Sequence, residues 1–449
     1  MKASAASLAT ESTEATAEHR SVAWRQVVAA VIVLLFSSRA AVAEDRVGDP
    51  MTLDQLVANA QRDNKDLRAA RYAVDIARAR LVQAGALPNP RVNVGTSSDV
   101  TFNNAGAYSA SVGVSQDFPI AGRLLRQKEV ARVDIALAEA EIEDAERRLA
   151  GDVAAGVYRL LVIERQILAR DALSAVDERL ATATRNRFKA AEVSELDVNA
   201  VGLDLQRLNL ERALLATQRS VLLQSLNRLL GQSSDAALLV VEPIPAIEAP
   251  PALAALLSKA QSQRPDLRAA QLQIDRAEAQ IELAKAKRWE DWNVGVGIQQ
   301  DRLTIDGAPS QRADRELALS VSIPIPLKSR NRGLLAEAQA AAREARARRD
   351  ALALAVRSEI AAAHAEATSL QMLVNQYEAG LLPIAERNVG LAEKGYGEGL
   401  IPIVELVQAQ RQQSELKMAA LATLDQYLLA LSRLHTATGN YPLLVDVAP

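Results

Sequence analysis

The sequence predicts a mainly helical protein with a small β part and an internal twofold repeat. Three observations support this fold class: two long stretches of helical periodicity, four segments of strict alternation, and a match between residues 53–70 and 253–270. The composition agrees, because 49% of the 449 residues are hydrophobic but only 3% are aromatic, as in long helical bundles rich in Ala and Leu. We therefore expect long helical hairpins with short strands between them.

The first 43 residues predict a signal peptide. An apolar run at 27–36 follows Arg20 and Arg25, and a small-x-small site at 41–43 precedes Glu44. The run is too short to span a bilayer, so a cleaved secretory signal is the preferred interpretation and an uncleaved anchor is the alternative. The mature chain is then expected to begin at residue 44 and to act outside the cytoplasm.

An internal repeat predicts two halves of similar structure. The segment LDQLVANAQRDNKDLRAA at 53–70 matches LAALLSKAQSQRPDLRAA at 253–270, and both end in DLRAA. Duplication of one ancestral unit is the simplest explanation. The expected boundaries are 44–250 for the first repeat and 251–449 for the second.

Each half is predicted to contain one long helical hairpin. In the second half, apolar residues recur in steps of three and four from Leu352 to Val374, which predicts a helix over 330–396, about 100 Å long. Glycines at 395, 397 and 399 and then Pro402 reverse the chain, so the hairpin spans 330–438. In the first half, leucines at 208, 215, 222 and 229 continue a seven-residue spacing from Val201, typical of a coiled coil, and predict a hairpin over 123–230.

Four segments alternate between apolar and polar or small residues, as β-strands do. They cover 91–102, 108–118, 292–302 and 315–326. About ten residues with one apolar face is the pattern of a transmembrane β-strand, although a half-buried hairpin in a soluble domain gives the same signal. Prolines flank the strands, and Trp289 and Trp292 stand where an aromatic belt at a membrane interface is expected.

The number of strands predicts an oligomer. Four strands cannot close a barrel, and an open sheet edge is not tolerated in lipid. Two chains would supply eight strands around an interior filled by side chains, whereas three would supply twelve and leave a channel. We therefore expect a homotrimer with a twelve-stranded barrel in the outer-membrane lipid, and with the helical hairpins forming a periplasmic tunnel.

The chain offers few groups for chemistry. It has no cysteine, and none of its three histidines has metal-ligand spacing relative to another. The net charge of −3 argues against a nucleic-acid partner. We predict no catalytic, cofactor-binding or metal site, and hence no enzyme.

Four motifs resemble the TolC-like outer-membrane efflux family, and within it the branch that exports heavy-metal cations. They are QAGALPNP (83–90), QDFPIAGR (116–123), VSIPIPLKSRNRG (321–333) and GYGEGLIPIVELVQAQR (395–411). The resemblance covers roughly 52–440 and implies a trimeric exit duct, a periplasmic adaptor protein and a proton-driven inner-membrane pump of the RND type. The alternatives are a duct for drugs or other small molecules, and a periplasmic coiled-coil scaffold without channel activity.

Three groups of residues are candidate sites. Small and apolar residues at hairpin ends predict adaptor-docking tips, because exposed apolar patches mark partners. Carboxylates on the polar strand face predict rings in a barrel lumen. The resemblance further implies a periplasmic gate of acidic residues near the second turn, with a tyrosine at that turn. The residues are Ala190, Ala191, Glu192, Val193, Ser194, Glu398, Gly399, Leu400, Ile401 and Pro402 for the tips, Asp99, Asp117 and Asp301 for the lumen, and Tyr396, Glu405, Gln408 and Asp197 for the gate.

Overall fold

A computed structural model describes residues 50–99, 101, 106–304, 312–326 and 331–439. The chain divides into two units, Met1–Pro50 with Ala237–Leu239, and Met51–Ala236 with Val240–Pro449. The predicted signal peptide at 1–43 lies in the first unit and outside the described residues. The helices and the four-stranded sheet belong to the second unit.

The same order of elements occurs twice in the chain: two short helices, two strands and a long hairpin. The first half contains α1 (Leu53–Asp63), α2 (Lys65–Ala84), β1 (Arg91–Ser98), β2 (Tyr108–Phe118), α3 (Arg123–Lys189) and α4 (Glu195–Leu229). The second half contains α5 (Leu253–Gln263), α6 (Pro265–Ala286), β3 (Trp292–Arg302), β4 (Asp314–Ser322), α7 (Arg332–Gln376), α8 (Leu382–Gly397) and α9 (Ile403–Thr438). Two-residue strands also occur at Pro50–Met51 and Leu239–Val240.

The long helices pack along the stripes that the sequence predicts. On α7 the buried residues include Val356, Ile360 and Val374. Val356 and Ile360 form an apolar cluster with residues of α5 and α9, such as Ala260 and Leu434. Among the described helices, none has a stretch long and apolar enough to cross a membrane. The contacts between α5, α7 and α9 are made by small and aliphatic side chains.

One interruption in the second hairpin was not predicted. The expected continuous helix over 330–396 contains a five-residue π-helical segment, Tyr377–Leu381, between α7 and α8. Pro383 lies two residues after this segment, and its ring nitrogen cannot donate to the carbonyl of Ala379 four residues earlier. The wider π turn accommodates this missing hydrogen bond. The prediction of an unbroken helix is wrong at this point.

The four strands form one antiparallel sheet in the order β1-β2-β3-β4. β2 and β3 have the predicted bounds, but β1 ends at Ser98 rather than at 102, and β4 covers Asp314–Ser322 rather than 315–326. The amide of Asp99 donates to the Ala107 carbonyl at 3.2 Å, so the chain turns there. Pro324 and Pro326 have no amide hydrogen for a ladder, which explains the early end of β4.

Equivalent contacts in the two halves support a duplication. Asn64 lies between α1 and α2, and its Nδ2 donates to the Leu229 carbonyl at the end of α4 at 2.8 Å. Arg264, 200 residues later, donates from Nη1 to the Ala437 carbonyl at the end of α9 at 2.7 Å. Gly231 and Gly439 follow these long helices at positive φ, 71° and 79°. Each lies too close to the backbone of 63–64 or 263–264 for an added Cβ to fit freely.

Candidate functional site

The sheet has one apolar face, and this face is exposed in the single chain. Cross-strand partners on it are apolar on both sides, as in Val94 with Val112 and Ile298 with Leu317. Val94 is 74% exposed and Leu317 is 77% exposed. A continuous apolar face that is exposed in this way is unusual in a soluble monomer and indicates a surface that contacts lipid or protein.

The opposite face of the sheet is lined by small and polar residues. Gly113 lies opposite Gly297 at its centre, and a Cβ on Gly113 would stand only 3.0 Å from the Val296 carbonyl oxygen. Serines and asparagines flank the glycines, and Asn93 donates to the Ser115 hydroxyl at 2.9 Å. This face therefore fits contact with water rather than with lipid.

The predicted lumen carboxylates occupy three different environments. Asp117 lies on the polar face near the helical end of β2 and accepts hydrogen bonds from Arg91 Nη2 at 2.6 Å and Asn293 Nδ2 at 2.7 Å. Asp301 lies on the same face, opposite Ser109 and about 27 Å along the strand from Asp117. Asp99 lies in a bend one residue beyond the end of β1, so its place on the polar face stays a prediction.

Two further carboxylates on the polar face were missed. Asp314 pairs with Asp301, and Glu316 pairs with Gln299. Glu316 could have been found, because it precedes the apolar Leu317 in the alternating pattern. The excess negative charge of the polar face therefore lies toward the loop end of the strands, away from the Arg91–Asp117 ion pair.

The two hairpin turns have the same backbone geometry. In the first, the Glu192 amide donates to the Arg187 carbonyl at 2.9 Å, and in the second the Leu400 amide donates to Gly395 at 2.8 Å. This bond spans five residues, as in a Schellman helix end. Ala191 and Gly399 hold the required left-handed conformation, with φ of 59° and 73°.

Most of the predicted tip residues are exposed. Leu400 is 73% exposed, and Leu196 in the first turn of α4, which the sequence analysis did not single out, is 74% exposed. Both tips therefore present a large aliphatic side chain to solvent. Of the remaining predicted tip residues, Val193 and Ile401 are half-buried, and Ala190, Ala191, Glu192, Ser194, Glu398, Gly399 and Pro402 are exposed.

Tyr396 connects the two hairpins. Arg187 at the end of α3 donates from Nη1 to the Tyr396 hydroxyl at 2.8 Å, and its guanidinium carbon lies 5.3 Å from the centre of the tyrosine ring. The same guanidinium donates from Nε to Glu192 at 3.1 Å. Both hydrogen bonds raise the pKa of Arg187, and the bond to Glu192 has the larger effect. Tyr396 is recognisable from the sequence, whereas its partner Arg187 is not.

The acidic gate candidates do not form a cluster in the single chain. Glu405 and Gln408 are exposed and three residues apart on α9, so they share one helix face. Among the described residues, none makes a hydrogen bond or ion pair with the Glu405 carboxylate. Asp197 is engaged elsewhere, because its carboxylate accepts from the Ser194 amide at 2.9 Å in a capping box at the start of α4.

No group of three or more histidines or carboxylates in the described ranges is placed to hold a metal ion. His435 is enclosed near the end of α9, where burial and then Lys259 lower its pKa to about 4. It is therefore neutral at physiological pH. The surfaces that remain as candidates for function are the two sheet faces and the hairpin ends.

Comparison with known proteins places the chain in a family. Residues 56–232 and 256–440, one segment in each half, match the family model of outer membrane efflux proteins. The chain is also 24% identical over 257 residues to the cobalt-zinc-cadmium resistance protein CzcC of Cupriavidus metallidurans. That match covers 56% of this chain and 59% of CzcC, which is less than two thirds of the relative's length.

Solved structures share the fold. CusC, a protein studied for transmembrane channel formation, superposes with a TM-score of 0.70 at 19% identity, over 88% of this chain and 93% of CusC. The outer membrane protein VceC of Vibrio cholerae gives a TM-score of 0.68 at 19% identity, over 86% of this chain and 96% of VceC. These likenesses confirm the predicted fold class, a mainly helical chain with a small β part.

Proposed function

We propose that this chain, which belongs to the outer membrane efflux protein family, forms the outer-membrane channel of a three-part export assembly. Family membership places the chain in the outer membrane. The two other parts are a periplasmic adaptor protein and an inner-membrane pump of the RND type. The chain itself is a duct, in which polar surfaces guide solutes and no bond is made or broken.

The sheet carries this proposal. In the described residues, β1 and β4 each pair with one neighbour only, so the sheet has two open edges beside an apolar face. In lipid, unpaired backbone amides and carbonyls cost several kcal/mol each. Copies of the chain that pair edge to edge would remove this cost. Three copies give twelve strands, enough for a water-filled lumen lined by the glycine and serine face.

The chemistry of the polar face favours a metal cation as the cargo. The relative CzcC is named for resistance to cobalt, zinc and cadmium. The excess carboxylates of the polar face, Asp301, Asp314 and Glu316, would repeat three times around the lumen and favour cations there. A neutral drug would gain nothing from these charges, so the metal cation is preferred over a neutral cargo.

Two adjacent positions on β1 test the channel directly. Val94→Lys places an ammonium on the apolar face, where it costs about 2–4 kcal/mol in the centre of a bilayer. Asn93→Lys, the matched control, places the same charge on the polar face. We expect Val94→Lys to prevent membrane assembly, whereas Asn93→Lys still forms SDS-resistant trimers that conduct in planar bilayers.

Transport is tested in a deletion strain that carries the cognate pump and adaptor. The parent chain and Asn93→Lys should restore growth in cobalt, zinc or cadmium, and Val94→Lys should not. A chain that stays soluble on fractionation would instead support the scaffold alternative. Membrane trimers that conduct but restore resistance only to drugs would contradict the metal cargo and leave the channel standing.

A further inference from the structure

A carboxylate occupies the seam between the two hairpins, close to their tips. On α3 the buried residues Ser174, Asp177, Ala181 and Thr184 follow each other in steps of three and four, the spacing of one packed helix face. Ala181 belongs to an apolar cluster that joins both hairpins, with Val201, Ile403 and Val407. Asp177 lies one turn further from the tips and is only 3% exposed.

This carboxylate lacks a full set of partners. Asp177 Oδ2 is buried and has no hydrogen-bond donor among the described residues. Its neighbour on α4, Asp204, is also buried but accepts from Arg411 Nη2 of α9 at 2.8 Å and lies 3.1 Å from Arg207 Nη2. The Arg411–Asp204 ion pair thus joins the two hairpins, while Asp177 faces this pair without a counter-ion of its own.

The surrounding charges are already paired with one another. Arg170 of α3 lies 2.8 Å from Glu211 of α4 and donates to the Ser414 hydroxyl of α9 at 2.6 Å. The charged groups around Asp177 are therefore Arg170 on its own helix, Asp204, Arg207 and Glu211 on α4, and Arg411 and Glu415 on α9. Burial, and then the charge of Asp204, raise the pKa of Asp177 to about 6, against the opposing effect of Arg207.

We propose that Asp177 is a proton-operated latch, which joins the two hairpins when it is protonated and loosens them when it is ionised. Protonation removes both the repulsion from Asp204 and the cost of a buried charge. It also turns the carboxyl into an O–H donor, which the ionised form is not. The latch rests on the proposed function in one respect, that the hairpin ends border the inner opening of the channel.

The direction of the pH effect follows from the raised pKa. A carboxyl that binds its proton more tightly in the packed seam stabilises that seam fully below its ordinary pKa, near 3.9, and loses the effect as pH rises through about 6. Between pH 7.5 and pH 5 the ratio of joined to loosened hairpins should rise about tenfold. An acid medium therefore holds the tips together, and a neutral one releases them.

The distance between the hairpins tests this latch without any transport assay. Because the chain has no cysteine, Lys189→Cys on α3 and Lys394→Cys on α8 can carry one pair of nitroxide spin labels. Full-length labelled chain is diluted with excess unlabelled chain, so that each assembly holds one pair. Pulsed electron spin resonance should show one short distance at pH 5 and a longer, broader distribution at pH 7.5, with a midpoint near pH 6.

Three variants separate the latch from a general effect of pH. Asp177→Asn should show the short distance at both pH values. Arg207→Gln should move the midpoint to higher pH, because it removes the cation that opposes the raised pKa, and it provides a test should Asp177→Asn fail to fold. Asp425→Asn, the matched control, removes a carboxyl whose pKa burial also raises but which lies on α9 beside Arg159, and it should behave like the parent.

Two results would overturn the latch: a distance in the parent that does not change between pH 5 and pH 7.5, or a change that persists in Asp177→Asn. An unmoved midpoint in Arg207→Gln would also count against it. Conductance measured on the same preparation at pH 7.5 tests the proposed function separately. Trimers that conduct but show no pH-dependent distance would refute the latch and leave the channel intact.

Discussion

At the scale of single residues, the contact between Arg187 and Tyr396 gives a sharp prediction. The guanidinium and the hydroxyl join the ends of the two hairpins at 2.8 Å. Tyr396→Phe removes the acceptor and keeps the ring, so we expect a higher open fraction of channels in planar bilayers. The increase should be a few-fold at most, because Arg187 is 42% exposed and water screens its charge.

A neighbouring arginine supplies the control for this contact. Arg187→Gln should raise the open fraction like Tyr396→Phe, and the double variant should add nothing further, since both single changes remove the same bond. Arg185→Gln removes an exposed charge two residues away and should leave the open fraction unchanged. Equal open fractions in the parent and in Tyr396→Phe would show that this contact does not hold the tips closed.

Sequence reasoning found Tyr396 and not Arg187 for a physical reason. Tyr396 stands in a glycine-rich turn that can be recognised by its composition, whereas Arg187 is one of many charged residues on an amphipathic helix. The local sequence does not show that such a side chain is paired, because its partner lies 209 residues away in the chain. Asp177 was missed in the same way, since its burial depends on α4 and α9 packing against α3.

At the scale of elements, the two turns predict where a partner binds. Leu400 is held outward by the left-handed Gly399 and the five-residue hydrogen bond to Gly395. Leu400→Asp should abolish metal resistance in cells that contain the pump and adaptor, because a charge replaces the apolar contact, while SDS-resistant trimers persist. Leu400→Met keeps the apolar surface and should retain resistance. Full resistance with Leu400→Asp would exclude this tip from docking.

The elements themselves could largely be predicted, and the exceptions have local causes. The alternation of apolar and polar residues located β2 and β3 at their observed bounds, because each strand has one apolar face and one polar face. It extended β1 and β4 too far, since alternation continues through the turn at Asp99 and through Pro324. The π-helical segment before Pro383 left no trace in the apolar stripe, because that stripe ends at Val374 and no residue of Tyr377–Leu381 is buried.

At the scale of the whole molecule, the internal repeat explains why one chain carries two long hairpins of similar build. In both halves the end of the long hairpin contacts the junction of the two short helices. Asn64 makes this contact in the first half and Arg264 in the second. The two turns share one backbone geometry, yet only the second has glycine at the left-handed position. The halves are thus alike in backbone and different in side chains, so both tips expose a leucine but only the second half supplies the tyrosine contact.

The charge of the polar sheet face gives the last prediction, on ion selectivity. Asp301, Asp314 and Glu316 lie near the loop end, and in a trimer they form rings of carboxylates, whereas Asp117 is neutralised by Arg91. Planar-bilayer currents of the parent should favour cations. Replacing the three carboxylates with Asn, Asn and Gln should abolish this preference, most clearly at low salt, where screening is weak. The double variant Arg91→Gln with Asp117→Asn changes no net charge and should keep the preference, and anion selectivity in the parent would contradict the assignment of this face to the lumen.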